Sequence, residues 1–191
     1  FKINRTYNTG YMVGDIRGAW LANSKTVDRS YKANTLTENG TVTEAAVASG
    51  AELMGYSGFS DGTNYLSRAY DADFDFGTTF SIAVWYKGTS NAGHQQIFHR
   101  CNSSNAQHSI LLYIASTGKA EFTVYDAGGT ADIDIAGVAA PLVDDDEWHF
   151  IVAHRDGDLG TIYVDGLQTG QDGGIGTTDA HVDGSATIYI G

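Results

Sequence analysis

Apolar residues in this chain recur at every second position, in short runs that stop at glycine and Asp-Gly turns. The clearest run is Thr79 to Lys87 (TFSIAVWYK): Phe80, Ile82, Val84 and Tyr86 fall on one side of an extended backbone, Ser81, Ala83, Trp85 and Lys87 on the other. An amphipathic helix needs apolar residues three and four apart, and no such stripe is sustained. Glu44 to Met54 is the only stretch that could support one, and Gly50 interrupts it, so extended structure or a short turn is expected there. Further runs at Asn64 to Arg68, Gln96 to Arg100, Ser109 to Ala115, Lys119 to Asp126, Asp132 to Ala136, Glu147 to Arg155, Thr161 to Val164 and Ala186 to Ile190 continue the series. Asp15 to Ala22 reads as the first strand of the domain. Strand centres roughly 10–15 residues apart belong to an all-β sandwich or barrel. Two dipeptides predict two-residue hairpins, because a type I′ turn needs positive φ at both central positions. Asn39-Gly40 would join Leu36–Glu38 to Thr41–Thr43, and Asp165-Gly166 would join Val164 to Leu167. Residues 23–35 and 168–185 read as polar loops, the latter with weak strands at most.

Composition sets the outer bounds. A chain of 191 residues with 42% hydrophobic content can bury a full core as one domain. Cys101 is the single cysteine, which excludes an internal disulfide and a cysteine-based zinc site. The net charge of −12 repels phosphate backbones and anionic lipid, so nucleic acid and membrane surfaces are poor partners. No apolar run approaches the roughly 20 residues of a membrane span. The chain opens at Phe1 without a signal-peptide pattern, and an excerpt or processed product of a longer protein is expected.

Several segments then line up in order. They are Gly58 to Leu66 (GFSDGTNYL), Phe76 to Trp85 (FGTTFSIAVW), Gln96-Ile97-Phe98, Trp148-His149 through Arg155-Asp156-Gly157, Tyr163-Val164-Asp165-Gly166 and Ile188-Tyr189-Ile190-Gly191. Together they resemble the laminin G-like domains of the concanavalin A-like lectin/glucanase superfamily, over about residues 12 to 191. The N-terminal wording, YNTGYMVGDIRGAWLANS and YLSRAYDADFDFGTTFS, is further similar to domains in virion-associated proteins of marine bacteriophages. The resemblance implies a two-sheet antiparallel jelly-roll sandwich that binds glycans or proteins more often than it catalyses. It also implies a last strand beyond the Ile-Tyr-Ile-Gly segment, paired beside the first. That position is expected to be filled by further sequence, or by the arm Phe1 to Tyr11 in cis or from another copy.

The chemistry-bearing residues favour binding over catalysis. The glucanases of the superfamily resemble one another in a Glu-x-Asp-x-x-Glu strand. Asp132-Ile133-Asp134-Ile135 offers two same-face aspartates and no glutamate, and Glu121 and Glu147 stand apart. Asp71, Asp73 and Asp75 alternate and could present three carboxylates on one face, so a Ca²⁺ site is possible without a ligand set to assign. His149 and Asp144–Asp146 read as strand and loop residues. His149 and His154 point to opposite faces of a strand, and His99 with Cys101 lacks a third ligand. If Phe80, Ile110, Leu112, Phe122 and their like face the core, Trp85, Tyr113 and Tyr125 face away, and they are expected to form one outer stacking platform. The loop from Arg100 to Gln107 adds Arg100, Asn102 and Asn105 as polar recognition groups. These residues make the chain a candidate non-catalytic glycan-attachment module of an extracellular or virion surface protein, such as a phage tail fibre, and a homo-oligomer within it. The alternatives are a structural building block making subunit contacts and, less favoured, a carbohydrate module attached to a glycoside hydrolase.

Overall fold

The structure, a computed structural model, describes residues 14–20, 24–51, 53–89, 93–101, 108–125, 131–135, 141–173 and 186–191. The strands are β1 (Thr37–Asn39), β2 (Thr43–Ala46), β3 (Met54–Ser57), β4 (Tyr65–Arg68), β5 (Thr79–Tyr86), β6 (Gln95–Cys101), β7 (His108–Ile114), β8 (Ala120–Tyr125), β9 (Ala131–Ile135), β10 (His149–Asp156), β11 (Leu159–Val164), β12 (Leu167–Gly173) and β13 (Thr187–Ile190). They form a seven-stranded sheet in the order β1-β4-β13-β6-β7-β8-β9, a four-stranded sheet β12-β11-β10-β5, and the hairpin β2-β3. Every pairing is antiparallel. The chain is an all-β sandwich of two antiparallel sheets with an additional hairpin.

Alternation places the core. Ile110, Leu112, Ile114, Phe122, Val124 and Ile133 of the large sheet face Ile151, Ala153, Ile162 and Val164 of the small one, all with no exposed surface. The small sheet is three strands narrower. Beside β5, a run of rings fills in: Trp20 stacks on Phe74 at 6.2 Å, Phe74 meets Phe76 at 6.1 Å, and Phe76 stacks on Phe80 at 5.1 Å. A second cluster of Leu36, Val42 and Leu66 shares Trp20 with the first.

Four sequence expectations are corrected here. Asp15 to Trp20 is not a strand. Among the described residues its one β contact is the bridge from Trp20 to Asp28, and the segment is held by side chains instead. Asp28, 7% exposed, accepts from the backbone N–H groups of Ala19, Ser30 and Asn34 and from the Ser30 hydroxyl. Asn39-Gly40 does turn the chain, with Gly40 at φ +68°, but β1 pairs with β4 and β2 pairs with β3. The turn therefore separates two sheets rather than closing a hairpin. Residues Leu167 to Gly173 form a seven-residue strand on β11, where a loop or weak strands at most are expected from sequence. Asp71, Asp73 and Asp75 do not line one extended face, because a 3₁₀ turn at Ala72–Phe74, capped by Asp71, lies between them. The Asp165-Gly166 hairpin forms as read, with φ of +52° and +82° at the two positions and Val164 opposite Leu167. The arm Phe1 to Tyr11 lies outside the described residues. Among those residues no helix is long and apolar enough to cross a membrane.

Candidate functional site

Strand register places Trp85 on the solvent side of the four-stranded sheet. Trp85 lies opposite Phe150 on β10, and Phe150 exchanges hydrogen bonds with Asp165. The next row along the strands is Ala83, Val152, Tyr163 and Gln168; the one after is Ser81, His154 and Thr161. Trp85 is 62% exposed, and its ring tilts against Phe150 with centroids 5.1 Å apart. Trp148, one residue before β10, is 40% exposed. A Cβ added at Gly55 would lie 3.5 Å from the Trp148 ring, so the β2-β3 hairpin runs close beside it. The result is an apolar aromatic surface floored by the small residues Ala83 and Val152.

Polar groups border it. Gln168 donates to Gln171, and His154 bonds to the Ser81 hydroxyl and the Phe80 carbonyl. At the end near Trp148, His149 sits between two carboxylates, with Asp165 at 2.7 Å and Asp145 at 3.0 Å. Burial pushes the His149 pKa down, but these two hydrogen bonds outweigh it and the net shift is upward. Asp145 and Asp165 are shifted down, with the His149 bond the largest cause for Asp145 and the Phe150 N–H the largest for Asp165.

The other predicted residues lie elsewhere. Tyr113 on β7 and Tyr125 on β8 belong to the seven-stranded sheet, so the expected common platform with Trp85 does not exist. The alternation was read correctly on each strand, but the strands belong to different sheets, whose outer faces point in opposite directions. Tyr113 is 8% exposed, stacked with His94 at 5.0 Å and donating to Glu121 at 2.5 Å. Burial, followed by the Glu121 bond, raises its phenol pKa strongly. Arg100 is not a loop residue. It lies within β6, one residue before the strand's end, with its side chain 1% exposed and paired with Asp75 at 2.7 Å. Asn102 and Asn105 lie outside the described residues. His99, on the outer face of the large sheet, contacts Tyr189 and Gln96, and buried Cys101 has its thiol pKa pushed up to about 11 by desolvation.

The three aspartates considered for calcium are each matched with a base: Asp71 with Arg68, Asp73 with Lys32 and Arg17, Asp75 with Arg100. Among the described residues no group of three or more His, Cys, Asp or Glu side chains is placed to hold a metal. Phe150, Trp148 and Tyr163 are the companions of Trp85 that sequence reasoning missed. The signal was present: once Ile151 and Ala153 face inward, Phe150 and Val152 must face outward.

A laminin G-type family model, described as the concanavalin A-like lectin/glucanases superfamily, matches residues 60–191. Among solved structures, the binding domain of Paraclostridial Mosquitocidal Protein 1 superposes with a TM-score of 0.67 at 15% identity, over 90% of this chain and 44% of that one. A botulinum neurotoxin type C structure, from work in which cell entry depends on interaction with two ganglioside molecules, gives 0.63 at 17% identity, over 89% and 42%. Domain 4 of AbnA, an extracellular GH43 arabinanase from Geobacillus stearothermophilus in complex with arabinotriose, gives 0.59 at 13% identity, over 87% and 77%. The chain spans less than half of the two toxin chains, and at these identities the likeness is one of fold. No curated protein matches the chain in sequence. With the sandwich in place and the family model covering residues 60–191, the chain belongs to the concanavalin A-like lectin/glucanases superfamily, in its laminin G-like group.

Proposed function

We propose that the chain is a non-catalytic binding module whose four-stranded sheet holds a sugar chain against Trp85. The observation that carries this reading is the exposure of Trp85 beside Phe150 on a regular strand. A sugar presents a C–H face to such rings, and Gln168, Gln171 and His154 stand within the same surface for its hydroxyls. The fold neighbours support it as well: two are toxin structures, one of them a binding domain and the other linked to gangliosides, and a third was solved with arabinotriose. A shallow face of this kind gives weak single-site affinity, so attachment relies on several copies acting together. A surface protein of a virion or another extracellular assembly, as the resemblance to phage proteins suggests, supplies that multiplicity.

The test is a glycan array followed by calorimetry on wild type and Trp85→Ala. Binding is expected to fall by at least about tenfold in the variant, with an unfolding midpoint within error of wild type, since the residue is on the surface. Equal binding by both proteins, or no binding to any glycan by wild type, defeats the reading.

A second reading is favoured by one feature. Among the described residues β5 is the edge of its sheet, and Thr79 to Tyr86 contains no charge or proline to discourage pairing. Subunit contact along this edge would bury the same tryptophan. It predicts self-association that weakens in Trp85→Ala, read by light scattering over a concentration series.

A further inference from the structure

We propose that the Trp85 face takes uncharged sugar chains and rejects those bearing carboxylate, sialic acid or sulfate groups. This rests on the binding reading above and adds the ligand class. The outward residues of β5, β10, β11 and β12 include no lysine or arginine, because the one arginine in these strands, Arg155, is fully buried. The bases bordering the face are already engaged. Lys87 lies 3.4 Å from Asp146, His149 is held between Asp145 and Asp165, and His154 bonds to Ser81 and Phe80.

Carboxylates mark both ends of the aromatic surface. Asp145, Asp146, Glu147 and Asp165 are exposed near Trp148, while Asp156 and Asp158 are exposed at the far turn. Strands are about 4.8 Å apart and same-face residues about 6.8 Å apart, so a sugar lying across Trp85 and Tyr163 comes within roughly 10 Å of the upper group. At that range several like charges add their repulsion, and water and salt only partly screen it. An anionic sugar would lose its hydration without gaining a cation. A neutral sugar meets the same groups differently. Its hydroxyls donate to carboxylate and amide oxygens and accept from the glutamine amides. The rim that repels an acid therefore serves a polyol. The net charge of −12 extends the same bias over the whole molecule.

The experiment uses matched glycan pairs on an array and in calorimetry: galactan oligomers against galacturonan oligomers, and lactose against sialyllactose, each in about 20 mM and 200 mM salt. Wild type is expected to bind the neutral member at least about tenfold more tightly at low salt. The gap should narrow at high salt through improved binding of the acidic member alone. Glu147→Lys with Asp158→Lys, two exposed positions outside the stacking rings, should narrow it at low salt as well. Equal or tighter binding of the acidic members, abolished by Trp85→Ala, overturns the proposed ligand class and leaves the binding reading standing. Binding of neither kind that depends on Trp85 overturns both.

Discussion

Arg100 shows how one buried charge is tolerated in this core. Its side chain is 1% exposed, and a guanidinium out of water needs a counter-charge, which Asp75 provides at 2.7 Å. Asp75 also accepts from the Tyr70 hydroxyl. Asp71, four residues earlier, pairs with Arg68 near the surface, where both side chains keep about 30% exposure (29% and 31%) and water does much of the same work. The two aspartates look alike in sequence but have different energetic weight. Asp75→Asn is expected to cost about 2–4 kcal/mol in urea unfolding at neutral pH, because it removes the carboxylate charge 2.7 Å from the buried Arg100 guanidinium. Asp71→Asn should cost about 1 kcal/mol or less. Equal costs for the two would mean that the Arg100 pair has no special role. Nothing in the sequence distinguishes these aspartates, since the cation that selects between them arrives from β6, 25 residues later.

At the scale of elements, His149 ties two connections together. Asp145 lies in the segment before β10 and Asp165 in the β11-β12 turn, and the imidazole bridges them at 3.0 and 2.7 Å. Trp148 and Phe150 flank this clamp in sequence, so it helps set where the candidate face begins. Its pH dependence follows from the directions of the shifts. The His149 pKa is raised in the folded state, so that contribution is complete below the unfolded value of about 6.5 and is lost as pH rises through the folded value. Asp145 and Asp165 are lowered, so their contribution is present above the ordinary carboxylate range and lost as pH falls through their folded values. Thermal melts of wild type and His149→Gln should therefore differ most at about pH 5–6 and converge toward pH 9. A difference that does not vary with pH would make His149 a neutral spacer. The β11-β12 connection was legible because Asp165-Gly166 satisfies a local rule. The Asn39-Gly40 dipeptide carries the same signal in sequence, but in the structure only Gly40 takes positive φ and the turn joins strands of different sheets, about which local residues carry no information.

Over the whole molecule, alternation identified the inner faces of β5, β7 and β8 but could not assign those strands to sheets. β5 and β10 are neighbours although Trp85 and Phe150 are 65 residues apart in sequence, and β7 and β8 lie between them in the chain but in the other sheet. The platform expected from Trp85, Tyr113 and Tyr125 failed for that reason, and the one found, Trp85 with Phe150, Trp148 and Tyr163, depends on the same long-range pairing. How closely the two sheets approach depends on two glycines. A Cβ at Gly160 on β11 would lie 2.4 Å from Cγ2 of Ile133, and one at Gly170 on β12 would lie 2.4 Å from Cγ2 of Ile135, both isoleucines on β9. Ile133 is fully buried and its branched side chain cannot swing aside, so Gly160→Ala forces the layers apart or strains the rotamer. The expected cost is about 1–3 kcal/mol in denaturant unfolding. If steric contact is the cause, the same change made in an Ile133→Ala background should cost less than about 0.5 kcal/mol, and the cycle should show the difference as coupling. Ile133→Ala alone leaves a cavity worth about 2–5 kcal/mol, so Gly160→Ala measured singly also serves as a test. A single-variant cost near zero would show that the sheets are not in contact at Gly160, and the packing described for β9 against β11 would be wrong.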